Sequence, residues 1–205
     1  MFILVIGVIF ALGLMLLPRL LGRRQAAMLE QYEILEKRFL LKRKVYPSKW
    51  GKGIGERYAL SGDYGGYSVS LYDYFHQSES SKQVWTGLSF EMLFAGELEL
   101  AIEPEVGDEA ARFEALEPLE PASTPVGRFR FKSNAGDSLE GIADDALLER
   151  FERFQGRGSF RLSKGFFEYR ESGLMEDAET RIHFQEAIPL LARLGDRLKE
   201  CLHAS

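Results

Sequence analysis

Cysteine is nearly absent: Cys201 is the only one in 205 residues. An intrachain disulfide is therefore excluded, which is consistent with a reducing compartment. Histidine is almost as scarce, with His76, His183 and His203 alone. Zinc needs three or four convergent ligands. His183 with Glu179 and Glu186 makes half such a set at helical spacing, and no compact His/Cys group elsewhere completes it. Cys201 and His203 are two residues apart, a poor geometry for a nucleophile and its base on a helix. A core-facing thiol is the expectation. Paired acids at Asp144 and Asp145, with Glu140 and Glu149, read as the wet face of a helix, because acid/base work needs a pocket that separates their pKa values.

Phosphate-binding motifs are missing too, although WGKGIGERY at 50–58 invites one. A Walker-type loop needs Lys followed by Ser or Thr ahead of a helix. Here Gly53 follows Lys52. The dinucleotide fingerprint fails as well, since Gly51, Gly53 and Gly55 have the wrong spacing, with a basic helix before them and a strand after. These glycines read as a join between helix and sheet, and no cofactor is expected.

Charge is missing from Met1 through Pro18. About 20 mostly apolar residues suffice to cross a bilayer as a helix. The expectation is an uncleaved transmembrane anchor over 1–21, because Arg19, Arg23 and Arg24 follow the apolar run instead of preceding it. Basic residues favour the cytoplasmic side. That places the N-terminus outside and the rest of the chain in the cytoplasm of a bacterial inner-membrane, single-pass protein.

Beyond the apolar run the charge is lopsided. Residues 19–57 hold 11 Lys and Arg against 4 Glu, and residues 58–205 hold 15 against 27 acids, so the overall net charge of −5 hides a basic segment joined to an acidic one. Nucleic acid is not an expected partner for such a surface. The basic segment suits anionic lipid headgroups, and membrane-surface contact is expected from Lys42, Arg43, Lys44, Lys49, Trp50 and Lys52.

Periodicity supplies the rest. Met28, Tyr32, Leu35 and Phe39 predict a helix from Gln25 to about Val45, stopped by Pro47. Tyr58, Leu60, Tyr67, Val69 and Leu71 flank SGDYGG as a hairpin. Further strands are expected over 83–94, at ELELAIE, at VGRFRFKS and on either side of Lys164 and Gly165. A helix is expected over 138–154. A final one from about Glu179 carries the stripe Ile182, Ala187, Leu191, Leu194, Leu198 and Cys201, with a weak spot at Pro189 and Gly195. In YDYFH, the strand period puts Tyr72, Tyr74 and His76 on one face and Asp73 on the other. Tyr64, Tyr67, Tyr72, Tyr74 and His76 form the candidate partner surface.

The expected fold is thus α+β: an N-terminal transmembrane helix (1–21), a basic linker helix (22–49), then an antiparallel sheet packed with two helices (50–205). An internal break is expected near 117–127, where Pro118, Pro121 and Pro125 cluster. The segments ALSGDYGGYSVSLYDY, VWTGLSFEM, FRFKSNAGDSLEGIADDALLERF, RGSFRLSKGFFEYRESG and IHFQEAIPLLARLGDRL together resemble an uncharacterised class of bacterial membrane-anchored domains. The resemblance implies an inner-membrane protein with a cytoplasmic α+β domain, and it implies no reaction. The functional expectation is a non-enzymatic, membrane-tethered domain for interaction or scaffolding, with an unidentified protein partner. Two alternatives stay open: a lipid- or small-ligand-binding envelope module with a cavity between sheet and helices, and an enzyme whose site assembles from residues distant in sequence.

Overall fold

The computed structural model describes residues 2–48, 55–77, 82–104, 117–118, 129–135, 142 and 144–204, with the backbone alone for 2–18, 76–77, 82, 104, 117–118 and 204. One helix, α1 (Phe2–Phe39), opens the chain. Its described side chains place Met28, Tyr32, Leu35 and Phe39 in the core. The helix stops well short of Pro47. Leu40 takes a positive φ of 55°, and the Leu41 N–H reaches back to the Glu36 carbonyl at 3.1 Å, which together make a Schellman ending. Leu41 is buried behind it. Gly62 makes room, since a Cβ there would lie 3.0 Å from Leu41 Cδ2.

The residues expected to extend that helix instead form an edge strand, β1 (Lys42–Tyr46). It is followed by β2 (Arg57–Tyr64), β3 (Tyr67–Gln77), β4 (Lys82–Glu91), β5 (Leu100–Pro104), the two-residue β6 (Glu117–Pro118) and β7 (Phe129–Ser133). A short helix, α2 (Asp145–Glu152), precedes the hairpin β8 (Ser159–Ser163) and β9 (Phe166–Ser172), and α3 (Ala178–Ala204) ends the fold. The nine strands of the described residues make one sheet in the order β1-β2-β3-β4-β9-β8-β5-β7-β6, antiparallel throughout.

The register fixes which side chains share a face. Leu60, Leu71, Leu88, Tyr169 and Phe160 stand in line across β2, β3, β4, β9 and β8. All five are buried. Tyr32 of α1 stacks on Tyr58 with ring centroids 5.6 Å apart, Phe184 of α3 meets Tyr169 at 5.1 Å, and Phe151 of α2 meets Phe160 at 5.0 Å. All three helices therefore cover the same face of the sheet, each through an apolar stripe.

Two parts of the expected architecture need correction. Among the described residues no helix is long and apolar enough to cross a membrane. Most of the expected anchor falls on residues 1–18, whose side chains lie outside the described residues. From residue 19 onward the helix carries Arg19, Arg23, Arg24, Glu30, Glu33 and Glu36, and its apolar stripe is spent on the sheet. One helix runs from Phe2 to Phe39 without a division at 21 into a spanning helix and a separate linker, and among the described residues three helices, not two, serve the core. The single-pass, N-terminus-out placement rested on that anchor and falls with it.

Smaller differences have local causes. The helix expected over 138–154 is described only from Asp145, where Asp144 caps it by accepting the Leu147 N–H at 2.7 Å. Asp144 is thus a cap, not a spectator on a wet face. Ile182 is 44% exposed, and the inward stripe of α3 begins instead at His183 and Phe184 and continues through Ala187, Ile188, Leu191, Leu194 and Leu198. Pro189 sits within a continuous α3. Gly195 serves close packing, since a Cβ there would lie 2.6 Å from Met92 Cε and 2.9 Å from the Tyr67 hydroxyl. The expected break near 117–127 falls mostly on 119–128, outside the described residues.

Candidate functional site

A cavity of about 520 Å³ opens where α1 runs past the end of the sheet. That volume is within the roughly 300–1,000 Å³ of small-molecule sites. Leu21, Arg24, Gln25 and Met28 of α1 form one wall. The register β3·β4 places Phe75 opposite Val84, and these two with Asp73 form the floor. Tyr46 to Ser48 and Gly55 to Arg57 close one side, Leu174 and Glu176 the other. Apolar surface is left open inside it: Phe75 is 58% exposed and Leu21 39%.

Gln25 builds the side wall. Its Nε2 donates to the Glu56 carbonyl at 2.8 Å and the Tyr58 hydroxyl at 2.9 Å, and its Oε1 accepts the Gly55 N–H at 3.1 Å. Gly55 has a φ of 70°, a conformation that favours glycine. The glycine stretch thus ends in a clamp onto α1. Gly51 and Gly53, with Lys49, Trp50 and Lys52, lie outside the described residues.

Asp73 is the polar feature of the floor. Its place in β3 follows Val69 and Leu71 on the helix-covered face, so a carboxylate occupies a position where the period calls for an apolar side chain. Tyr32 donates to its Oδ1 at 2.7 Å. The Thr86 hydroxyl lies 3.0 Å from the same oxygen and 2.9 Å from the Gly173 carbonyl, and donates to one of them. Oδ2 is buried with no hydrogen-bond partner among the described residues. Burial pushes the Asp73 carboxyl above its ordinary value, against the hydrogen bonds from Tyr32 and Thr86 and the charge of Arg57. The same burial, with the neighbouring Asp73, raises the Tyr32 phenol, which keeps it a donor.

The two guanidinium groups at the cavity are already engaged. Arg24 Nη2 lies 2.5 Å from Glu176 Oε1. Arg57 lies over the Phe75 ring, 5.1 Å from its centroid, a cation–π arrangement.

The structure divides the candidate aromatic surface between two faces. Tyr67 is buried beneath α3, where its hydroxyl donates to Asp196 at 2.8 Å, and Tyr64 packs edge-on against Phe39 at 5.4 Å. Tyr72 and Tyr74 lie on the opposite face, rings 5.9 Å apart, over Gly87. Tyr72 donates to Glu168 at 3.0 Å. The side chain of His76 is outside the described residues. Of the basic candidates, Arg43 turns toward Glu33 at 3.0 Å and Glu36 at 3.4 Å, whereas Lys42 and Lys44 are exposed on β1.

His183 is separated from Glu179 and Glu186. Its Nδ1 lies 2.8 Å from Glu171 Oε1 in the interior, whereas Glu179 pairs with Arg157 at 2.9 Å and Glu186 with Arg153 at 3.2 Å. Among the described residues no group of three or more His, Cys, Asp or Glu is placed to hold a metal. His183 does not line the cavity. Cys201 packs half-buried against the core.

Sequence reasoning treated Asp73 as the wrong-face partner of a tyrosine ladder and passed over Leu21, Arg24, Gln25 and Met28 as anchor and linker. The available signal was the inward acid after two inward aliphatics.

No protein-family model matches this chain, and no curated protein does either. Among solved structures, the crystal structure of the mycobacterial trehalose monomycolate transport factor A matches over 87% of this chain and 94% of that one, with 12% identity and a TM-score of 0.50. The expected kinship with an uncharacterised membrane-anchored family is thereby corrected: what this chain shares, over most of its length, is the fold of a mycobacterial transport factor.

Proposed function

We propose that this chain is a non-catalytic binding module for a small amphiphilic, lipid-like ligand. The observation that carries the reading is the cavity under α1, which leaves Phe75 and Leu21 open to solvent beside polar groups at one end. An apolar lining with a few convergent polar groups is the usual make-up of a ligand site. The fold match to a protein named as a trehalose monomycolate transport factor supports an amphiphilic cargo. Purified protein should bind a dodecyl-chain amphiphile saturably, one per chain, as followed by displacement of an environment-sensitive dye. Val84→Trp, which fills the floor, should abolish that binding while the thermal midpoint stays within a few degrees. Equal binding by the two proteins would place the ligand elsewhere and end this reading.

A second reading rests on β1. Lys42 and Lys44 are exposed on this edge strand, and Lys44 Nζ sits 5.0 Å from the ring centroid of Tyr46, itself a wall of the cavity. Basic side chains beside the opening suit an anionic bilayer surface from which such a ligand is drawn, each contributing about 1 kcal/mol near the surface. Vesicles containing phosphatidylglycerol should float the wild-type protein at low salt and lose the Lys42→Glu, Lys44→Glu double variant. Retention of that variant would remove the reading.

A further inference from the structure

The unpartnered oxygen in the cavity floor bears on which amphiphile fits. Oδ1 of Asp73 has the donors Tyr32 and Thr86 within reach. Oδ2 is buried, belongs to a side chain that lines the cavity, and has no donor among the described residues. A buried carboxylate oxygen left without a donor carries a desolvation cost; Oδ2 has no open surface in the cavity, so a ligand head relieves that cost only by turning the carboxyl toward itself. The two guanidiniums of the lining are already engaged, Arg24 by Glu176 and Arg57 over the Phe75 ring of the floor. With Glu56 also in the wall, the charged lining among the described residues is Arg24 and Arg57 against Glu56, Asp73 and Glu176.

We infer that the cavity selects amphiphiles whose head donates hydrogen bonds, an amine or a hydroxyl, to Asp73 Oδ2, and discriminates against heads that are carboxylate or phosphate. The apolar chain then runs from that point over Phe75, Val84 and Met28 toward Leu21. This inference rests on the ligand-binding reading above. It adds the headgroup chemistry. A carboxylate head would bring a second negative charge against a carboxylate in a partly desolvated site, and like charges there cost several-fold in affinity. An ammonium head gains a charge-assisted hydrogen bond. Asp73 is also ill placed for a purely structural role, because burial works against its ionised form.

The test is calorimetric titration of the full chain with dodecylamine, dodecanol and dodecanoate below their micelle concentrations at neutral pH, in wild type, Asp73→Asn and Val84→Trp. Asparagine keeps an acceptor for Tyr32 and puts an N–H₂ where Oδ2 stood. The amine should bind wild type at least about tenfold tighter than the acid, the low end of what a hydrogen bond to a charged group contributes, with the alcohol between them. In Asp73→Asn that order should vanish or invert. If all three bind alike and Asp73→Asn changes nothing, while Val84→Trp removes all three, the cavity is the site and the headgroup inference is wrong. If none binds, or Val84→Trp leaves binding intact, the ligand-binding reading and this inference fall together. Thermal melts of both variants report whether they fold.

Discussion

Replacing Asp73 with asparagine should make the protein more stable at neutral pH, and the gain should depend on pH in a defined direction. Burial holds the Asp73 carboxyl above its ordinary value in the folded chain, opposed by hydrogen bonds from Tyr32 and Thr86 and by the charge of Arg57, with Glu176 reinforcing the rise. A raised carboxyl pKa means that the folded state holds the proton more tightly than the unfolded one. Its stabilising contribution is therefore fully present below the unfolded value and is lost as pH rises through the folded one. Between those two values wild-type stability falls by up to about 1.4 kcal/mol per pH unit from this group. Asparagine has no such dependence. Urea unfolding of both proteins from pH 3.5 to 8 isolates the effect, because every other titrating group cancels in the difference. The stability of Asp73→Asn minus that of wild type should climb from the acid end and then level off. A flat difference would mean that Asp73 titrates normally, and a falling one would mean that its ionised form is stabilised by the fold; either refutes the reasoning that it is held for a ligand at a cost to folding.

Three other substitutions test the packing. Leu40→Gly should stabilise by about 0.5–1 kcal/mol, since a non-glycine residue at a positive φ is strained and glycine returns only part of that in unfolded-state entropy, and the leucine side chain is 88% exposed; a lower urea midpoint would refute the Schellman ending. Gly195→Ala should destabilise by about 1 kcal/mol, because overpacking against Met92 and Tyr67 outweighs the roughly 1 kcal/mol gain in helix propensity; a higher melting temperature would show that α3 stands off the sheet. Asp144→Ala should cost about 1–2 kcal/mol by uncapping α2. Burial pushes the Asp144 carboxyl up, but the hydrogen bonds from Arg197 and the Leu147 N–H, with the charge of Arg193, hold it below its ordinary value. The cap's contribution is therefore present above about pH 4 and lost as pH falls through the folded value, so a loss independent of pH would contradict it.

The strands were legible where the period was clean. Leu60, Val69 and Leu71 alternate with small or polar residues, and their faces followed directly. The helix of β1's neighbourhood was misread because Leu40 adopts a left-handed ending with no glycine to announce it, so the charged run Lys42 to Lys44 looked like a further helical turn. The apolar start of α1 matches a membrane span in composition. What composition cannot report is that the second half of the same helix spends Tyr32, Leu35 and Phe39 on the sheet. The cavity was invisible for a related reason: its described walls come from residues 21–28, 46–48, 55–57, 73–75, 84 and 174–176, and only the fold brings them together. Asp73 alone left a trace, a carboxylate at an inward register position.

Whether a ligand enters that cavity decides the proposed function. Photoaffinity labelling with a diazirine-tailed dodecylamine, followed by peptide mapping, asks this directly. Saturable labelling on Leu21 to Met28, Phe75 and Val84, competed by unlabelled amine and absent in Val84→Trp, is the expected result. Adducts confined to residues that do not line the cavity, such as Tyr72 and Glu168, or labelling that never saturates, would contradict it.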